Sequence, residues 1–183
     1  MGKIVFNPCQ FSSISEWNHS DILRRTDPTA LYISRYQNPG DAFRSLLKFD
    51  LELLTLDQNY QAAYLKLFIY RNHIEKGTIE AAIHPIMAHW DQYSVNWNIQ
   101  PPFSDAGHTV IIPAGWEGHV IFEISGLLQK WLDGTMQNHG LIIIGDEKHD
   151  NLVAFASGVY PERDKRPQLI LISEASKQYY GLV

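Results

Sequence analysis

The chain has 183 residues, of which 45% are hydrophobic, 12% aromatic and 19% charged, and 15 Lys+Arg against 20 Asp+Glu leave a formal charge of -5. That mixture excludes an intrinsically disordered chain, which needs low hydrophobicity and high net charge, and the length is enough to bury one core. The acidic balance also argues against generic nucleic-acid binding, because neutralising phosphates requires a basic surface.

Short runs rich in Val, Ile, Leu, Phe and Tyr, separated by Gly, Pro, Asn and Asp, carry the punctuation of an all-β chain. Expected strands, in chain order, cover residues 3–7, 30–36, 43–51, 63–71, 78–86, 109–112, 118–124, 141–144, 152–157 and 168–172. Side chains switch face at every residue of a strand. In 43–51 this puts Ser45, Leu47, Phe49 and Leu51 toward the core, with Arg44, Leu46, Lys48 and Asp50 opposite. In 63–71 it puts Leu65, Leu67 and Ile69 inward, and leaves an aromatic outer face of Tyr64, Lys66, Phe68 and Tyr70. One segment reads as helix: Ser125 caps it, Leu127, Leu128, Trp131 and Leu132 form its apolar stripe, and Gly134 ends it. The expected organisation is one β-sandwich domain over residues 1–172 and a tail over 173–183.

Cys9 is the only cysteine, which excludes an internal disulfide and a cysteine-based zinc site while leaving a disulfide between two chains open. The N-terminus lacks the basic start and apolar stretch of a secretory signal, so the expectation is either cytoplasmic synthesis and use inside the cell or a mature or leaderless form. Apolar segments are too short to span a bilayer. The eight histidines are scattered without a paired metal-binding spacing, and no nucleophile elbow or phosphate-binding glycine loop occurs. The reading is therefore a protein without catalytic activity and without a cofactor. Asp50, Asp146 and Asp150 could bind a structural calcium ion, although no contiguous Asp-rich loop supports one.

Several blocks occur in a telling order: Arg44-Ser45-Leu46-Leu47-Lys48-Phe49-Asp50-Leu51, Ala63-Tyr64-Leu65-Lys66-Leu67, Trp90, and Ser94-Val95-Asn96-Trp97-Asn98-Ile99-Gln100-Pro101. Phe122-Glu123-Ile124-Ser125 running into Leu128 and Trp131, then Asn138-His139-Gly140-Leu141, Phe155-Ala156-Ser157 and Arg166-Pro167-Gln168-Leu169 follow. This order resembles the DNRLRE domain, classed with carbohydrate-binding modules. The resemblance implies an all-β jelly-roll sandwich that is non-catalytic, with acidic polysaccharide as one ligand class. It also implies a second possibility, because related domains occur as structural parts of cell-surface and spore proteins.

Sugar recognition needs a flat aromatic platform and fixed polar groups, and an acidic sugar adds a requirement for Lys or Arg. If strands 43–51 and 63–71 share a sheet, Arg44, Lys48 and Lys66 with Tyr64 and Tyr70 form one basic, aromatic surface, bordered by Arg35 and Arg71. The alternative is an outer face whose Leu46 and Phe68 are covered by a loop. Trp17 and Trp116 lie beside turn residues and are further candidate stacking platforms, whereas Trp90, Trp97 and Trp131 read as packing residues. In the structural reading, the partner is another copy of the chain, through Cys9 or a C-terminal Gln178–Val183 strand added to a neighbour's edge.

Overall fold

The computed structural model describes residues 2–17, 27–54 and 60–173. The expected tail strand therefore lies outside the described residues. Strands β1 (Gly2–Phe6), β2 (Pro8–Ser15), β3 (Ala30–Arg35), β4 (Ala42–Phe49), β5 (Tyr60–Asn72), β6 (Thr78–Pro85), β7 (His108–Pro113) and β8 (Gly118–Glu123) precede a helix, α1 (Ser125–Leu132). Strands β9 (Leu141–Ile144), β10 (Val153–Ala156) and β11 (Gln168–Ser173) follow it. All their pairings are antiparallel, in one curled sheet ordered β1-β11-β5-β10-β3-β4-β9-β6-β7, with β2 on β4 and β8 on β5. The result is an all-β sandwich of the jelly-roll kind.

The sheet folds into two walls because β3 serves both. Its first part, to Ile33, pairs with β10, whereas Ser34 and Arg35 pair with β4. Ser34 takes φ of 72° at the crossing, a left-handed conformation uncommon for a residue with a side chain. Its fully buried hydroxyl compensates by accepting the Asp146 N–H at 3.1 Å. The chain changes wall a second time after β1, which pairs with β11, because β2 pairs with β4.

Between the walls lies the main core. Leu47 and Phe49 of β4 meet Leu65, Leu67 and Ile69 of β5, with Ile83, Phe122, Leu141, Phe155 and Leu169 in the same cluster. Each such side chain stabilises the fold by about 1.5–3 kcal/mol when taken out of water. The outer side of β4 and β9 is covered too. Leu46 and Ile142 pack under Ile86, Trp90 and Val95, so the segment after β6 folds back over this wall. Leu46 on the outer side of β4 is consequently as buried as Leu47 on the inner side.

Three sequence expectations change. The polar run Pro8–Ser15 forms β2, where the Ser13 hydroxyl accepts the Tyr32 N–H at 2.9 Å and contacts the Ser45 hydroxyl, which donates to the Tyr32 carbonyl at 2.7 Å. Ser125 is the first helical residue rather than the cap, and its hydroxyl accepts the Ala63 N–H at 2.9 Å. Trp97, whose place in the sequence suits it to fill the end of the sandwich, instead joins the layer over β4 and β9. Gly134, with φ of 76°, does lie just past the helix end.

Candidate functional site

Strands β4 and β5 belong to opposite walls and send their inward residues into one core, so their outer faces point away from each other. The composite surface of Arg44, Lys48, Lys66, Tyr64 and Tyr70 is therefore not assembled. What the fold builds instead is two separate surfaces, and on each of them some of these groups are already engaged.

Arg44 lies on the outer face of β4. Its Nε and Nη2 donate to Glu147 Oε1 and Oε2 at 2.6 and 2.9 Å, and Nη1 donates to Gln100 Oε1 at 2.8 Å. The guanidinium also stacks over Trp97, 4.7 Å from the ring centre. Four residues on, Lys48 reaches the end of the sandwich beside Cys9, Asp50 and Asn138.

On β5 the outer residues diverge in fate. Tyr70 packs on Tyr160 at a ring separation of 5.1 Å, and burial, with nearby Tyr32 and Asp27, pushes its hydroxyl far above the usual tyrosine range. Phe68 is flanked edge-on by His119 at 4.9 Å and covered by Lys165 at 4.9 Å. Lys165 is itself paired with Glu162, in the turn leading to β11. Tyr64 and Lys66 remain half-exposed, and neither side chain has a hydrogen-bond or ion-pair partner among the described residues. Register sets them beside Glu123 and Ile121 of β8 on one side and Ile170 and Gln168 of β11 on the other. Ile121 is 55% exposed, so this part of the wall is open to solvent.

Trp17 and Trp116 lie at the opposite end from Lys48, where β2 and β5 finish. Trp17 is 77% exposed directly after β2. Trp116 sits in the β7–β8 turn, whose Pro113 and Trp116 carbonyls both accept from Asn72 Nδ2, at 2.9 and 3.0 Å. Trp90 is buried, and its indole N–H donates to the His139 carbonyl at 2.8 Å.

Each of the three carboxylates considered for calcium is engaged by its own hydrogen-bond partners. Asp50 caps the Glu52 N–H, Asp150 accepts the Gln37 N–H, and Asp146 binds the Lys148 N–H, His149 and Asn151. Among the described residues no group of three or more His, Cys, Asp or Glu side chains could hold a metal ion. Burial works to raise the Asp146 carboxyl, but these hydrogen bonds outweigh it and hold the group below its ordinary value of 3.8. A depressed carboxylate contributes stability above its unfolded value and loses it as pH falls through the folded one. Acid unfolding below roughly pH 4 is therefore expected to flatten in Asp146→Asn, read from denaturation midpoints across pH; an unchanged profile would show the turn to be energetically idle.

Among the described residues no helix is long and apolar enough to cross a membrane. A search of curated proteins finds no match to this sequence. Residues 26–173, which take in everything from β3 to β11, match the carbohydrate-binding module family 96, and the chain belongs to that family.

Proposed function

We propose that the chain is a non-catalytic module, of the DNRLRE type in its motifs, that binds acidic polysaccharide along the outer face of β5, β8 and β11. The observation that carries this reading is the Tyr64–Lys66 pair, half-exposed and unpartnered on a wall where the other outer aromatics of β5 are covered. Two residues along a strand separate the pair by about 7 Å, which suits one sugar ring and its charged substituent. Tyr64 offers a flat apolar ring to the pyranose face, and the Lys66 ammonium faces the carboxylate of an acidic sugar. Gln168, level with Lys66 on β11, adds an amide that both donates and accepts. Membership of a family of binding modules supports the absence of catalysis in this reading.

Because Lys66 and Lys48 sit on opposite walls, their contributions are separable. Lys66→Ala is expected to lower retention on a polygalacturonate gel about tenfold, in line with roughly 1.5 kcal/mol for a charge-assisted hydrogen bond, and to leave thermal unfolding within about 0.5 kcal/mol of wild type. Raising salt should weaken wild-type retention and affect the variant less, since an exposed ion contact is screened. Retention that Lys66→Ala does not change would sink this site.

A further inference from the structure

At the end of the sandwich where β4 stops, a cavity of 440 Å³ opens between the segment after β4 and the helix α1. Cys9, Lys48, Asp50, Leu54, Trp131 and Asn138 line it. We propose that this cavity is a second binding site, separate from the Tyr64–Lys66 face, and that it takes the terminal units of a neutral sugar.

Volume, lining and charge lead to the same ligand. Pockets for small molecules run to about 300–1,000 Å³, so this one holds roughly one or two sugar units and cannot wrap a long chain. Trp131 and Leu54 supply apolar wall, which suits the C–H face of a pyranose. Asn138 is fixed by its donation to the Phe49 carbonyl at 2.9 Å and by the Gly140 N–H at 3.1 Å, which presets its amide. Asp50 holds the Glu52 N–H through Oδ1 alone, leaving Oδ2 to accept a hydroxyl. Against the single ammonium of Lys48 stand the carboxylates of Asp50 and Glu52, both on the lining. That balance repels an anionic sugar and matches hydroxyls, which donate to carboxylates and accept from an ammonium.

Cys9 makes the test direct, because it is the only cysteine in the chain, it is exposed, and it lies on the cavity wall. Burial pushes its thiol pKa up, so alkylation by iodoacetamide is followed at mildly alkaline pH. Maltose, cellobiose, lactose and mannobiose serve as neutral probes, and polygalacturonate as the acidic one. At least one neutral disaccharide is expected to slow alkylation several-fold and saturably, with the protection reduced in Trp131→Phe and in Asp50→Ala. Lys66→Ala should keep this protection while losing polygalacturonate retention, so the two sites fail independently. The proposal is overturned if no neutral disaccharide protects Cys9, if protection survives both cavity substitutions unchanged, or if polygalacturonate protects better than the neutral probes.

Discussion

Gly140→Ala is expected to destabilise the protein by at least about 4 kcal/mol, enough to leave much of it unfolded under ordinary conditions. Gly140 adopts φ of 94°, a conformation that side chains rarely tolerate. A Cβ there would run into the Leu47 carbonyl oxygen, and would lie 3.1 Å from the carbonyl carbon and 3.0 Å from Lys48 Cβ. The obstacle is strand backbone, which cannot swing aside as a side chain tip can. Gly140 also stands at the head of β9, where its carbonyl accepts the Ile86 N–H at 2.9 Å and Leu141 pairs with Leu47. Any shift would thus spread into β4, β9 and the segment leaving β6. Gly115→Ala separates the two causes, because Gly115 has φ of 69° but nothing within 4 Å of the added Cβ. It should cost only about 1–2 kcal/mol of backbone strain. Urea denaturation of both variants checks the contrast, and a Gly140→Ala midpoint equal to that of Gly115→Ala would rule out the close approach.

The positions of most strands were legible because alternation is a local signal. Leu65, Leu67 and Ile69 are fully buried as their spacing in β5 required. What alternation cannot carry is the wall to which a strand belongs. Arg44 and Lys66 are both outward by the same rule, yet they face opposite directions, since strand pairing is set by contacts far apart in sequence. Leu46 shows a second limit. It sits on the outward side of β4 yet has no exposed area, because Trp90 and Val95 return to cover it from 44 and 49 residues further along the chain. Strand β2 escaped for a different reason. Its buried hydroxyls, Ser12 and Ser15, and the Ser13–Ser45 pair read as loop composition until their partners on β3 and β4 are known. For the candidate site, outwardness of Tyr64 and Tyr70 was readable, but the ring of Tyr160 that occupies Tyr70 was not. The end cavity had only partial traces: Asp50 drew notice for its charge and Trp131 for its place in a helical stripe, and only the fold puts them together.

Arg44→Ala should cost about 3 kcal/mol, and it bears on what the most distinctive sequence block is for. Arg44 begins the β4 block, while Gln100 and Trp97 belong to the Trp-Asn-x-Gln-Pro block more than fifty residues later; one guanidinium joins them, reaching Gln100 Oε1 at 2.8 Å and the Trp97 ring at 4.7 Å. Both oxygens of Glu147 complete the lock from the segment after β9. The side chains of Arg44 and Glu147 are only 19% and 26% exposed, so the pair is screened less than a surface ion pair, and deleting one partner leaves a largely desolvated charge behind. Arg44→Lys keeps the charge but loses the planar fork and most of the stacking, and should fall between wild type and alanine, at about 1–2 kcal/mol. Released from Arg44, the 86–103 segment would still be held by Trp90 at the His139 carbonyl, so partial loosening is expected before global unfolding. Tryptophan fluorescence during urea titration should then show an early shift in Arg44→Ala that wild type lacks, while Lys66-dependent retention on polygalacturonate persists at low temperature. If Arg44→Ala instead leaves stability intact and abolishes retention, the guanidinium serves the ligand, and the block around Trp97 marks a binding site rather than the clasp that holds a loop over β4.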